Sequence, residues 1–130
     1  MKIFKILLVI IACILMNACA TTQVSIEFPN GAKVNGKEAI AIVAAENYGY
    51  YLFGCLPLFA GDPEYQNENT LTFFEDTVNL DNNLKMISNE AKKFDANTIT
   101  AVNSNNAWTG SFSLWIVWRQ TLITTSVITK

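Results

Sequence analysis

The chain has 130 residues, 51% of them hydrophobic, with nine basic and eleven acidic side chains and no histidine. A chain of this length forms one domain, and its slightly acidic balance excludes the basic surface with which proteins bind nucleic acid. Without histidine it lacks the commonest general base and the commonest transition-metal ligand. It also has no zinc-ligand spacing, P-loop or dinucleotide-binding glycine pattern, so we expect no metal, no cofactor and no catalytic residues.

The first eighteen residues have the pattern of a secretory signal peptide. Lys2 and Lys5 give a short positive segment, and ILLVIIACILM (6–16) is an unbroken apolar run. A helix that spans a bilayer needs roughly 20 apolar residues, so this run is too short for a permanent span.

The stretch LMNACATT (15–22) resembles the lipobox of bacterial lipoproteins, in which one hydrophobic and two small residues precede a cysteine. Met16 stands where leucine is usual, and Asn17 is more polar than the usual residue. The resemblance implies that residues 1–18 are removed and that Cys19 is acylated, which would hold the protein on a membrane of the cell envelope. In a Gram-negative cell, Ala20 after the cysteine implies the outer membrane.

Removal of the leader would leave seven basic and eleven acidic side chains, a net charge of −4. We expect a short lipidated tether over 19–22 and one domain over 23–130. Cys13 leaves with the leader, so Cys55 would be the one free thiol. Its apolar neighbours favour a buried position, with an intermolecular disulfide as the alternative.

Residues 23–28 alternate apolar and polar side chains, which predicts a half-buried strand. Asn-Gly pairs at 30–31 and 35–36 favour tight hairpin turns. The stretch FPNGAKVNGK (28–37) is similar to the Pro-Glu-Gly-Ala segment of PEGA repeats, with Asn30 in place of the glutamate. That similarity implies a small β module of the kind found in envelope proteins.

Two nearly continuous apolar runs follow, over 39–45 and 50–60. They predict two strands buried on both faces, the second ending at Pro57. The alternative is a membrane hairpin, which we disfavour because Glu46 and Asn47 would then lie inside the bilayer at a cost of several kcal/mol.

The stretch GDPEYQNENT (61–70) is typical of an exposed loop. After it, apolar residues recur at helical spacing and predict one amphipathic helix, capped by Asn79 or Asp81 and packed on the sheet. The predicted buried stripe comprises Leu80, Leu84, Ile87, Ala91 and Phe94.

The last third of the chain predicts further strands over 97–102 and 112–118, joined by a polar turn over 103–111. Residues 121–129 continue in strand-favouring Thr, Ile and Val. The sequence leaves open whether Arg119-Gln120 is a bend in one strand or a corner between two. We therefore predict an α+β fold, a mainly antiparallel sheet of about five strands with one helix on a face, in the order β-β-β-loop-α-β-β.

Aromatic residues are the most informative excess in the chain. We expect most of them in the core, and the rest to form an apolar surface that faces a protein partner or lipid. The candidate residues of this interaction surface are Tyr48, Tyr50, Tyr51, Trp108, Trp115 and Trp118.

Acidic residues offer a weaker alternative. Glu46, Asp62 and Glu64 flank the apolar runs and are candidates for a catalytic carboxylate pair, but acids beside Gly and Pro are typical of solvated turns. The acidic central loop also lacks the Asp-x-Asp-x-Asp-Gly pattern of a calcium site.

Three functions follow from these patterns. The favoured one is a non-enzymatic, membrane-anchored envelope lipoprotein that binds another envelope protein or organises the surface. The second is a binder of a small apolar molecule or lipid in an aromatic-lined cavity. A hydrolase or metal-dependent enzyme is the third.

Overall fold

The computed structural model describes residues 20–66, 68, 70–111 and 116–130. The predicted leader, Cys19 and Trp115 lie outside the described residues. The described elements are seven strands and one helix: β1 Ala20–Glu27, β2 Lys33–Val34, β3 Lys37–Leu52, β4 Leu56–Gly61, β5 Leu71–Phe73, α1 Leu80–Lys93, β6 Thr98–Ser111 and β7 Val117–Thr129.

The strands form one sheet in the order β5-β4-β3-β7-β6, and β1 and β2 also pair with β3. Every pairing among the described strands is antiparallel. The predicted α+β class, a mainly antiparallel sheet with one helix, is confirmed. The predicted strand number and order are wrong, because there are seven described strands rather than five and the helix follows the fifth rather than the third.

The central strand β3 is 16 residues long and runs straight through the predicted break at residues 46–49. Side chains alternate across the sheet, so Glu46 points to one face while Asn47 is buried on the other. The Asn47 amide donates to the Thr77 carbonyl oxygen at 2.9 Å. This bond pairs the buried side-chain nitrogen of Asn47, so that β3 continues through a polar residue and joins the two apolar runs.

A turn at residues 53–55 divides the second apolar run. Phe53 has φ 53° and Gly54 has φ 70°, and the chain reverses so that Leu52 pairs with Leu56. Pro57 therefore lies inside β4 instead of ending a strand. Cys55 lies in the turn and is exposed, which corrects the prediction of a buried thiol.

The predicted polar turn over 103–111 is wrong, because these residues belong to strand β6. A bulge between Thr100 and Asn103 interrupts its pairing with β7, and Ala101 within the bulge has φ 51°. Strand β7 continues through Arg119-Gln120, so the described residues 117–129 form one strand.

Helix α1 begins after the predicted cap, Asn79, whose side chain accepts a hydrogen bond from the Asn82 backbone N–H at 2.9 Å. The predicted buried stripe is rotated: Leu80 is exposed and Phe94 lies just beyond the helix. The residues that face the sheet are Asn83, Met86, Ile87 and Ala91.

Small side chains on the sheet leave room for the helix. Ala41 and Ala45 of β3 and Thr124 and Ser126 of β7 are buried on the same face, and the two alanines share a core cluster with Met86 of the helix. No described helix or strand packs on the other face, which we call the open face; it is formed by alternate residues of β3 and β7, including Ile42, Tyr48 and Ile123.

Candidate interaction surface

Strand β6 forms one edge of the sheet. It pairs with β7 on one side, and no described strand pairs with its other side. Its 14 residues, TITAVNSNNAWTGS, include no charged residue and no proline. Charged residues and proline commonly protect an edge strand from pairing with another strand. The bulge at residues 101–102 leaves a regular segment over 103–111 whose backbone groups are open to a further strand.

An aromatic pair supports this edge on the helix-covered side. The Trp108 ring is 43% exposed, and its centroid lies 5.2 Å from that of Tyr51. Tyr51 is buried, and its hydroxyl donates to an Asp76 carboxylate oxygen at 2.6 Å. Burial, with a further contribution from Asp76, raises the pKa of Tyr51 far above its ordinary value. Tyr51 therefore stays protonated and hydrogen-bonded to Asp76, and its ring supports the Trp108 ring in a fixed position.

Polar contacts hold the rest of this side of β6. The Gln120 side-chain amide donates to the Asn106 side-chain oxygen at 3.2 Å. The hydroxyls of Ser104 and Thr124 lie 3.4 Å apart. These contacts fix β6 against β7 while its outer backbone edge stays exposed.

The predicted aromatic residues lie on two different surfaces. Tyr51, Trp108 and Trp118 lie on the helix-covered side, where a Cβ at Gly54 would approach the Trp118 ring to 3.7 Å. Tyr48 and Tyr50 lie on the open face, where Tyr48 is half-buried and Tyr50 is buried. They therefore do not form one continuous surface among the described residues.

The open face carries a row of aromatic rings. The Arg119 guanidinium lies 4.1 Å from the centroid of the Tyr48 ring, a cation–π contact. The Tyr50 and Phe59 rings are 4.9 Å apart, and Phe59 and Phe73 follow at 6.5 Å. This row continues across β3, β4 and β5.

The carboxylates considered in the sequence are separated by the sheet. Glu46 lies on the open face, while Asp62 and Glu64 line a cleft of about 520 Å³ beside α1. Lysines of the helix also line this cleft, and none of the predicted aromatic residues does. Within the described residues, no group of three His, Cys, Asp or Glu side chains is placed to hold a metal ion.

Sequence reasoning missed the edge strand because its polar residues are typical of a turn. The exposed Trp108 within the polar run was the one available signal, since a large aromatic residue is uncommon in a solvated turn.

Comparison of the chain with protein-family models, with curated proteins and with solved structures finds no match in any of the three. In the part of the chain that the structure describes, no helix has the length and apolar character to cross a membrane.

Proposed function

We propose that this protein is a small lipoprotein of the cell envelope, held on its membrane by acylated Cys19, with no catalytic activity of its own. It binds an extended segment of another envelope protein, which adds as a strand to the outer edge of β6. In a Gram-negative cell the membrane is the outer membrane.

The uncharged edge of β6 is the observation that supports this function. A partner strand along residues 103–111 would form about eight backbone hydrogen bonds, each contributing about 1 kcal/mol net. This total of about 8 kcal/mol is comparable to the free-energy cost of association, about 4–15 kcal/mol. Backbone pairing alone therefore gives weak binding, and a side-chain contact is needed for affinity.

Trp108 is placed to supply that contact. It is the large aromatic residue of β6, it is 43% exposed, and its ring packs against that of Tyr51 on the helix-covered face. Exposed tryptophans on rigid supports are frequent hot spots of protein interfaces, where truncation costs about 2 kcal/mol or more. We expect Trp108→Ala to weaken partner binding while leaving the fold intact.

Site-specific photocrosslinking in intact cells tests the edge. Benzoylphenylalanine in place of Ala107, an exposed residue of β6, should yield one defined adduct whose crosslinked peptide is an extended segment of an envelope protein. The same group in place of Asn30, in an exposed turn at the far end of the sheet, is the matched control. Equal adducts from both positions would contradict recognition at β6.

A charge on the edge gives the second arm of this experiment. Asn105→Lys places a positive charge on the exposed strand and should abolish the adduct from position 107. Asn30→Lys makes the same chemical change away from β6 and should leave the adduct unchanged.

The anchor has its own test. Mass analysis of the amino-terminal peptide should show a mature chain that begins at acylated Cys19, and Cys19→Ser should release the protein from the membrane fraction. A chain with an unmodified thiol at position 19 would exclude the proposed anchor.

A further inference from the structure

One end of the sheet gathers exposed apolar side chains. It lies where β3 and β5 end and where β4 and β7 begin. The Phe53 backbone N–H donates to the Ile116 carbonyl at 2.6 Å, and the Phe74 N–H donates to the Leu58 carbonyl at 3.1 Å, so these segments are held side by side. We call this group the apolar end; it comprises Phe53, Leu56, Phe73, Phe74 and Ile116, all exposed.

Two of these phenylalanines have a backbone conformation that is unfavourable for their residue type. Phe53 has φ 53° and Phe74 has φ 58°, a left-handed conformation that favours glycine or asparagine. Their side chains are 65% and 78% exposed, so they contribute little to the core. Folding therefore does not account for an aromatic residue at either position, and large exposed apolar groups mark a contact with another phase or molecule.

The two ends of the sheet differ in charge, although the exposed carboxylates of Glu75 and Asp76 follow Phe74 at the apolar end. Residues 50–61, which form the turn and its two flanking strand ends, include no charged side chain. The opposite end, by the starts of β2 and β3 and the finish of β7, is charged and exposed, with Glu27, Lys33, Lys37, Glu38 and Lys130. The domain therefore has one end suited to an apolar phase and one suited to water.

The first described residues show where the proposed anchor lies relative to the two ends of the sheet. Strand β1 begins at the buried Ala20, which pairs with Asn47, and runs toward the charged end. Residues 20–22, expected to belong to a tether, are part of β1, and the residue before Ala20 is the proposed acylation site, so no long linker separates the anchor from the sheet. From Asn47 to Phe53 the strand extends about 20 Å at roughly 3.3 Å per residue. A membrane that holds the anchor therefore contacts the apolar end when the strand from Asn47 to Phe53 lies along its surface.

We propose that the apolar end inserts into the interface of that bilayer and fixes the orientation of the domain. This inference rests on the proposed anchor. The occupant is a lipid surface without net charge, because Glu75 and Asp76 follow Phe74 directly and would be repelled by anionic headgroups. The charged end then lies outside the apolar layer, in water, and the β6 edge, on the opposite side of the sheet from β5, stays accessible to a protein.

Cys55 allows a direct test because it is exposed in the turn at the apolar end. The full chain is purified from membranes, its acylation is checked by mass, and an environment-sensitive fluorophore is attached at Cys55 after reconstitution into phosphatidylcholine vesicles. The matched control carries Cys55→Ser and Lys33→Cys, which moves the label to the charged end.

Brominated acyl chains should quench the label at position 55 several-fold more than the label at position 33, and aqueous iodide should show the reverse order. Equal quenching by iodide at both positions in an acylated sample would overturn this inference and leave the anchor standing. An unacylated Cys19 in the same sample would overturn both.

The double variant Phe53→Gly, Phe74→Gly tests the phenylalanines themselves. Glycine fits the left-handed backbone at both positions, so circular dichroism should show an unchanged fold. Quenching of the position 55 label by brominated chains should fall to the level of the control. Quenching that persists in this variant would overturn the assignment of insertion to these two side chains.

Discussion

Asn83 is the clearest single test of how the helix is positioned on the sheet. Its side chain is fully buried, and its amide nitrogen lies 3.2 Å from the Ala45 carbonyl oxygen, 3.0 Å from that of Leu122 and 3.1 Å from the Thr124 hydroxyl. The two carbonyl oxygens can only accept, so the nitrogen must face them. Asn83→Asp changes this one atom to oxygen and keeps the shape of the side chain.

The free-energy cost follows from these contacts. The variant loses two donated hydrogen bonds at about 1 kcal/mol each, and the introduced carboxylate oxygen, buried against those carbonyl oxygens without a donor, adds about 1–3 kcal/mol. We expect a loss of about 4 kcal/mol at neutral pH, a large part of the 5–15 kcal/mol typical of a domain. At about 4 °C per kcal/mol, the melting temperature should fall by roughly 15 °C.

The loss should also depend on pH. Burial among oxygen atoms raises the pKa of the introduced carboxyl in the folded state above its unfolded value of about 3.9. The folded state then holds its proton more tightly, so the variant is least destabilised below pH 4 and loses further stability as the pH rises above that value.

Urea unfolding of the variant at pH 4 and pH 7, each referred to the wild type at the same pH, measures this dependence. The matched control is Asn89→Asp, the same change at an exposed position of the same helix, which should shift stability by less than about 0.5 kcal/mol. Equal stability losses in the two variants, or a loss that does not grow with pH, would refute the placement of Asn83 against the sheet.

Three further predictions concern the turn, the aromatic pair and the close contact between strands. Tyr51→Phe should cost about 1–2 kcal/mol of stability at pH 7, because it removes the hydroxyl hydrogen bond to Asp76. Since the pKa of Tyr51 is raised in the folded state above its unfolded value of 10.0, the wild type should lose this advantage as the pH rises above 10. Alkaline unfolding curves that stay parallel for the two proteins would contradict this prediction. Phe53→Gly should change the free energy of unfolding by less than about 1 kcal/mol, since relief of the left-handed backbone offsets the greater entropy of glycine in the unfolded chain; a loss above about 2 kcal/mol in urea would show that this side chain belongs to the core. Gly49→Ala should cost about 1–3 kcal/mol by thermal unfolding, because its Cβ would lie 2.8 Å from the Ala60 Cβ and 3.2 Å from the Phe59 carbonyl oxygen, and an unchanged melting temperature would exclude so close an approach of β3 and β4.

Local patterns in the sequence were sufficient for the fold class and for the start of the helix. Asn79 caps α1 as predicted because N-terminal capping depends on residues three positions apart. The buried face of the helix was not predictable in the same way. Asn83 occupies a buried position where an apolar residue is expected, and its hydrogen-bond partners lie about forty residues away in β3 and β7.

Strand β6 shows why the candidate surface was missed. An edge strand with exposed side chains needs no apolar alternation, so Asn and Ser at 103–106 gave the pattern of a turn. The turn at Phe53 was missed for the opposite reason, because aromatic residues rarely adopt a left-handed backbone. Both sites depart from local preference, and both belong to surfaces for which we propose a binding role.

The central claim is that the edge of β6 receives a strand from another envelope protein while Cys19 holds the domain on its membrane. The most direct measurement is the yield of the photocrosslink from position 107 in cells, compared among the otherwise unaltered protein, Asn105→Lys and Cys19→Ser. The account predicts one adduct that disappears in both variants while the Asn30→Lys protein retains it. An adduct of equal yield in Asn105→Lys, or none in cells where Cys19 is shown to be acylated, would contradict it.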